Sequence, residues 1–400
     1  MNTALLRPEV QEYLSSHQDT ILDKFIFKGS PFPDVTIQEL AQQLDGKRRA
    51  KIKLPLWYET PGILFPPKLN LEQTSSALTA SYKSELVQGD SLIDMTGGFG
   101  IDSYYFAQKL KEVHHIEMNT EVSAFAKANF ETLKTTNITS VCEDSITYLK
   151  KCKGTFDTIY IDPARRDDVK GKVFKLSDCV PDVRLHLDLL LEKGKQILIK
   201  TSPLLDITAA LKELKQVSEI HSIAIKNEVK EVLWRITPAV NEEIKVITVN
   251  QNGKQVDKTY CTLQELQNAT ATYAEPKQYL YEPNATLLKA GAFNWISEHY
   301  SLLKLHPHSH LYTSDSMKQF PGRSFKIIEV LPFDNKIKKQ LLLKKANITT
   351  RNFKLTVAAL RKKLNIKEGG DTYLFFTTDC NEKQIVIVCQ KEVDELRSLE

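Results

Sequence analysis

Apolar positions follow two rhythms between residues 87 and 238. Short apolar runs fall at SLIDM (91–95), EVHHIE (112–117), ITSVCED (138–144), FDTIYID (156–162), KQILIK (195–200), HSIAIKN (221–227) and EVLWRI (231–236). Between them, residues 101–110, 119–135, 145–151, 180–192 and 205–216 space their apolar side chains three and four apart, which predicts helices. This alternation predicts a mainly parallel sheet covered by helices on both faces, an α/β class. The last two runs are separated by only NEVK, too short for a parallel crossover. They are expected to form a hairpin, so the sheet ends on a reversed strand.

The flanks differ. Residues 1–86 read as a helical region: PEVQEYLSSHQDTILDKFIF and TIQELAQQLDGKRRAKIKLP, a proline-rich bend (LPLWYETPGILFPP), then a polar helix over LNLEQTSSALTASYKSELV. In 239–320, a small α+β connecting region, a hairpin is expected around Asn252-Gly253. A helix follows over ATLLKAGAFNWISEHYSL. Residues 321–400 read as a small α+β domain: strand SFKIIEVL, helix DNKIKKQLLLKK, strand ANITT, helix TVAALRKKLN, then strands DTYLFFTT and KQIVIVCQ. The expected domains are therefore 1–86, 87–238, 239–320 and 321–400.

Charge sharpens this division. The net charge is +4, yet residues 318–368 alone carry 14 Lys and Arg against 3 Asp and Glu. Lys338, Lys339, Lys344, Lys345, Arg351, Lys354, Arg361, Lys362 and Lys363 crowd two expected helices and the strand between them. Such a block on a mildly acidic body suits a polyanion, with a solvated helix surface as the alternative. No run of about 18 apolar residues offers a membrane span, and the N-terminus lacks a basic start followed by an apolar core. The cytoplasm is the expected location. None of the six cysteines forms a C-x-x-C pair, and HPHSH (306–310) has no further ligand cluster beside it, so no metal is expected.

The candidate chemistry starts at LIDMTGGFGID (92–102). A strand, a glycine turn and a helix form a nucleotide site, because glycine admits the ligand to the backbone and the helix offers free N–H groups. Gly98 and Gly100 fit the first two positions of the dinucleotide fingerprint G-x-G-x-x-G, but Ser103 stands at the third. Asp94, just before the turn, would repel a pyrophosphate. S-adenosylmethionine carries an ammonium and a sulfonium and no phosphate, so acids beside Thr96, Gly97, Gly98 and Gly100 suit it. Asp102 either reaches its ammonium or satisfies the helix start. Glu117, followed by Met118, can accept both ribose hydroxyls, and Asp144, followed by Ser145, the adenine amino group. Asp94, Glu117, Asp144 and Asp162 would converge at the carboxyl ends of four strands.

These residues resemble class I S-adenosylmethionine-dependent methyltransferases over about 150 positions. The resemblance implies that the strand-one acid and glycine loop hold the methionine and adenosine, the strand-two acid the ribose, and the strand-three acid the adenine. Its reversed last strand matches as well. Asp162-Pro163-Ala164-Arg165 is similar to the Asp/Asn-Pro-Pro-aromatic motif of nucleic-acid amino methyltransferases, with alanine for the second proline and arginine for the aromatic. Asp162 and Pro163 are the candidate contacts to a target amine. Arg165 and Arg166 are candidates to hold a phosphate or stack on a base. Cys179 is a weaker candidate nucleophile. Gln73, Ser76 and Thr79 are candidate lid contacts, and Lys200 and Ser202 candidate rim contacts.

The segment KKANITTRNFKLTVAALRKKLNIKEGG resembles the THUMP-like C-terminal domain of some bacterial methyltransferases, which implies binding to structured RNA, chiefly transfer RNA. Together these readings give an S-adenosylmethionine-dependent methyltransferase acting on a transfer or ribosomal RNA base. The alternatives are DNA, protein or a small molecule as methyl acceptor, or an RNA-binding protein without turnover.

Overall fold

The computed structural model describes residues 1–165, 175–238 and 243–391. Arg166 lies outside the described residues. The chain divides into two compact units, Met1–Ser218 with Leu233–Asn241 and Glu219–Val232 with Glu242–Glu400.

In the first unit, β1 (Ser91–Asp94), β2 (Glu112–Ile116), β3 (Ile138–Val141), β4 (Phe156–Ile161) and β5 (Gly194–Thr201) lie in the order β3-β2-β1-β4-β5, each pair parallel. The central strands are buried on both faces, as a parallel sheet under two helix layers requires. The order continues with β7 (Glu228–Ile236) and then β6 (Val217–Ile225). Only Lys226 and Asn227 join these two strands, both at positive φ, the geometry of a tight hairpin turn. The chain therefore reverses direction here, as the short NEVK spacer predicts, but the reversed strand β7 lies between β5 and β6 and does not end the sheet.

The helical N-terminal region packs on this sheet's helices. Leu40, Leu44, Trp57, Phe65 and Leu71 share one apolar cluster with Phe99, Ile101 and Phe125. The helix α1 (Ile37–Lys53) starts at a capping box between Thr36 and Glu39. The polar helix expected over 69–87 is two helices, α2 (Lys68–Gln73) and α3 (Ala77–Ser84). Its sequence carries its own stop signal: Ser76 is extended, and its hydroxyl accepts the Thr79 N–H at the start of α3. From the glycine turn onward come α4 (Ile101–Ala107), α5 (Thr120–Thr132), α6 (Ser145–Lys151), α7 (Val183–Lys193) and α8 (Ile207–Glu213).

In the second unit, β8 (Lys245–Asn252) and β9 (Gln255–Thr262) form the hairpin expected around Asn252-Gly253. β8 pairs in parallel with residues 219–225 of β6. A second sheet has the order β11-β12-β10-β13-β16-β15-β14. Its strands are β10 (Tyr279–Pro283), β11 (Leu303–Lys304), β12 (Tyr312–Ser314), β13 (Gly322–Pro332), β14 (Asn347–Arg351), β15 (Thr372–Thr378) and β16 (Gln384–Lys391). Successive side chains face opposite ways. Phe376 joins Leu331, Ile337 and Leu360 in one cluster, while Phe375 joins Leu280, Leu311 and Phe325 in the other. The helix expected over DNKIKKQLLLKK is only α9 (Ile337–Gln340), because Leu341 leaves helical geometry and is buried in the first cluster. The expected second helix is α10 (Val357–Leu364). Among the described residues no helix is long and apolar enough to cross a membrane.

Candidate active site

Parallel pairing of β1 to β4 sets the ends of four strands along one edge. Asp94 ends β1, and Glu117, Asp144 and Asp162 lie within three residues of the ends of β2, β3 and β4. In open α/β sheets this edge is where ligands bind.

The turn between β1 and α4 is built around its glycines. Gly98 has φ +53°, and a Cβ there would meet nothing closer than the Thr96 carbonyl oxygen at 3.7 Å. Its surface is bare, reachable backbone. Gly97 and Gly100 serve the inner side. A Cβ on Gly97 would come within 2.4 Å of the His115 ring, and one on Gly100 within 2.4 Å of Phe130. His115 escaped the sequence reading. It is fully buried, with Nε2 3.2 Å from the Gly98 carbonyl and Nδ1 3.1 Å from Ser140 Oγ. Burial pushes its pKa down to about 4, so a neutral ring supports the turn.

Glu117 reaches over the turn. One carboxylate oxygen accepts the Gly98 N–H at 2.9 Å and the other the Asn119 N–H at 2.7 Å. The donor that a pyrophosphate would need at Gly98 is therefore already bound to a carboxylate, and each oxygen keeps a free lone pair. Asp144 caps α6, with one oxygen on Thr147 N and Oγ1, and these bonds hold its carboxyl below the usual range. Its other oxygen is uncommitted in these bonds. Met118 is 69% exposed, and Ser145 is buried beneath. The residues present thus fit S-adenosylmethionine: partly exposed backbone at Gly98 and acceptors on Glu117 and Asp144. With Met118 and Ser145, these are the residues that would hold it.

Asp94 and Asp102 lie deeper. Asp94 is 1% exposed, accepting Thr96 N–H at 3.1 Å and Ser103 Oγ–H at 2.6 Å. It holds the turn from beneath. Asp102, on α4, accepts Ser75 Oγ–H at 2.8 Å and Tyr160 O–H at 2.9 Å, and pairs with Lys83 at 3.1 Å. Lys83, on α3, is fully buried, donates to Ser75 at 2.7 Å and sits 5.9 Å from the Tyr160 ring centre. Burial opposes the Asp102 charge, but Lys83 and Lys200 outweigh it and hold its carboxyl below the usual range. Among the expected lid contacts, Ser76 caps α3, Thr79 is buried and Gln73 exposed.

Burial pushes the Asp94 carboxyl up to about 7, with Asp102 and Asp162 adding repulsion. A cationic ligand favours the ionised form and so lowers this pKa. Affinity for S-adenosylmethionine is therefore expected to rise as pH rises through about 7, with proton release on binding. Calorimetry in two buffers of different ionisation enthalpy checks this. Equal heats and flat affinity from pH 6 to 8 would count against it.

Asp162 donates its backbone N–H to Thr96 Oγ1 at 2.7 Å, tying it to the glycine turn. Its carboxylate forms an ion pair with Lys200 at the end of β5. Pro163 is buried, and Arg165 pairs as a short strand with Cys179. The Cys179 thiol is 1% exposed and burial pushes it up to about 11, which leaves no usable thiolate. Ser202 closes a turn on Leu204 N–H.

On the second unit, Lys338, Lys339, Lys344, Lys345, Lys354, Lys362 and Lys363 are exposed. Arg361 is half-buried and donates to the Ala346 carbonyl at 3.2 Å. Arg351 is ion-paired with Glu282 at 2.9 Å. His306 bonds Glu382 and Asn352, and among the described residues no group of three or more metal-ligating side chains occurs.

Residues 322–391 match a THUMP domain-like family, and residues 279–321 a ferredoxin-like domain. The crystal structure of a candidate methyltransferase from Porphyromonas gingivalis W83 superposes with a TM-score of 0.90 at 32% identity, covering 98% of both chains. An uncharacterized RNA methyltransferase of Mycoplasma mobile is 32% identical over 151 residues, 35% of this chain. The match spans 40% of that relative's length. With near-complete coverage at 32% identity to the Porphyromonas protein, this chain belongs to the same methyltransferase family, and its own C-terminal end matches a THUMP domain-like family.

Proposed function

We propose that the protein methylates RNA, at an exocyclic nitrogen of a transfer or ribosomal RNA base, in the cytoplasm. The observation that carries this reading is Asp162, fixed between the glycine turn and Lys200 at the end of β4. S-adenosylmethionine supplies a methyl group on a sulfonium leaving group. The chain's own task is alignment, which accounts for much of the rate in such transfers. Asp162 would accept a hydrogen bond from the target amine and orient its lone pair. Lys200 holds the carboxylate in place, and Arg165 stands two residues beyond Pro163 to meet the nucleotide.

The RNA part of the reading is supported by the Mycoplasma relative's name, the THUMP-like match and the exposed lysines of the second unit. Each lysine contact to a phosphate adds salt-dependent affinity without sequence information.

Transfer of labelled methyl groups to total RNA tests the proposal. Asp162→Ala is expected to lower the rate roughly a hundredfold, within the range typical for a positioned acid or base. S-adenosylmethionine affinity should stay near that of the wild type. Labelled DNA or protein with unlabelled RNA would reassign the acceptor. Cofactor binding with no labelled product would favour a binding protein without turnover.

A further inference from the structure

The second sheet holds a charged cluster outside the lysine-rich surface. Glu282 on β10 is 4% exposed. It lies opposite Arg323 of β13 in the strand register and accepts Arg323 Nε–H at 2.7 Å. A second bond to Arg323 Nη2 completes the fork. Its other oxygen accepts Arg351 Nη2–H at 2.9 Å. One carboxylate thus holds two guanidiniums and leaves a surplus positive charge. The Arg323 and Arg351 side chains are 40% and 37% exposed, so parts of both side chains that are not bonded to Glu282 reach solvent. Arg323 lies 5.4 Å from the Phe325 ring centre and 6.0 Å from that of Tyr373.

Two polar atoms in this neighbourhood are stranded. Arg351 Nε and His310 Nδ1 are buried and find no hydrogen-bond partner among the described residues. A buried polar atom without a partner costs about 1–3 kcal/mol. His310 stacks on Phe293 at 4.0 Å and feels the charges of Lys304, His308 and Arg351, which with burial push its pKa down to about 4.

We propose that Arg323 and Arg351, held apart by Glu282 and backed by His310, form a phosphate subsite for the RNA backbone. This rests on the RNA reading above and deepens it. Two planar forks match phosphate oxygens bidentately, which lysine does not. The Phe325 and Tyr373 rings flank the Arg323 guanidinium, which limits its swing. The exposed lysines then supply diffuse attraction, and this subsite supplies a fixed contact.

The test uses the full chain and a fluorescent structured RNA, with inorganic phosphate titrated calorimetrically in parallel. Arg351→Gln and Arg323→Gln are each expected to weaken RNA binding about tenfold, with a fall in thermal midpoint limited by the second arginine that still pairs with the buried Glu282. Glu282→Gln is the discriminating variant. It removes the competing carboxylate, so phosphate should bind at least as tightly as to the wild type. Weaker binding in Glu282→Gln with a native-like midpoint would overturn the subsite. So would unchanged RNA affinity in both arginine variants. If the wild type bound no RNA yet bound phosphate through these arginines, the RNA reading would fall and an anion site would stand.

Discussion

Arginine in place of Gly98 is expected to abolish S-adenosylmethionine binding while leaving the protein folded. The position has φ +53°, so a side chain costs about 1–2 kcal/mol of left-handed strain. That is affordable for a domain of this size. The side chain itself would point into open space over the turn, the proposed seat of the cofactor. A loss of roughly hundredfold or more, about 2.8 kcal/mol, is expected by calorimetry. Glu117→Ala should weaken binding less, because the Gly98 N–H it frees can turn to water. Gly100→Ala is the contrasting control. Its φ is +84° and its Cβ would overlap Phe130, so stability falls together with binding. Retained binding in Gly98→Arg, or tight NAD binding by the wild type, would sink this account of the turn.

Methionine in place of Lys83 is expected to produce the largest loss of stability. It leaves Asp102 buried without its nearest cation, and breaking such a pair typically costs about 3–5 kcal/mol. Ser75 and Tyr160 still donate to Asp102, which places the effect toward the lower end. Lys83→Met combined with Asp102→Asn removes both charges and keeps an acceptor for those two donors. The pair should therefore recover most of the loss, and a denaturant double-mutant cycle measures the coupling. A single variant within 0.5 kcal/mol of the wild type, on the order of an ordinary surface change, would show that the pair contributes little.

These two positions mark what the sequence discloses. Gly98 is legible because a glycine pattern between an apolar run and a helix has few structural solutions. The hairpin of β6 and β7 is legible similarly, since spacer length alone forces it, but the place of β7 between β5 and β6 is not. Lys83 is not legible. A lysine in a polar segment reads as solvent-facing, and only tertiary packing reveals that α3 turns it inward onto Asp102. His115 is hidden for the same reason: its neighbour His114 looks identical in sequence, and the pleat decides which of them faces the turn. Asp94 was legible as chemistry but not in depth. It reads as a group beside the ligand, yet it lies beneath the turn, holding Thr96 and Ser103. The basic tail was legible as charge. That Arg351 is shared with Glu282, far away in sequence, needed the sheet.

The pairing of β10 with β13 has a practical bearing on how this tail could be transplanted. The ferredoxin-like and THUMP-like matches meet between residues 321 and 322, which invites a cut there. Yet Tyr279–Pro283 lies hydrogen-bonded along the first half of the strand that starts at Gly322. Severing the chain at that seam would strip one side of β13 and expose a row of unsatisfied amides ready to recruit another molecule. A hybrid protein meant to borrow the tail's affinity would have to borrow residues 279–321 with it.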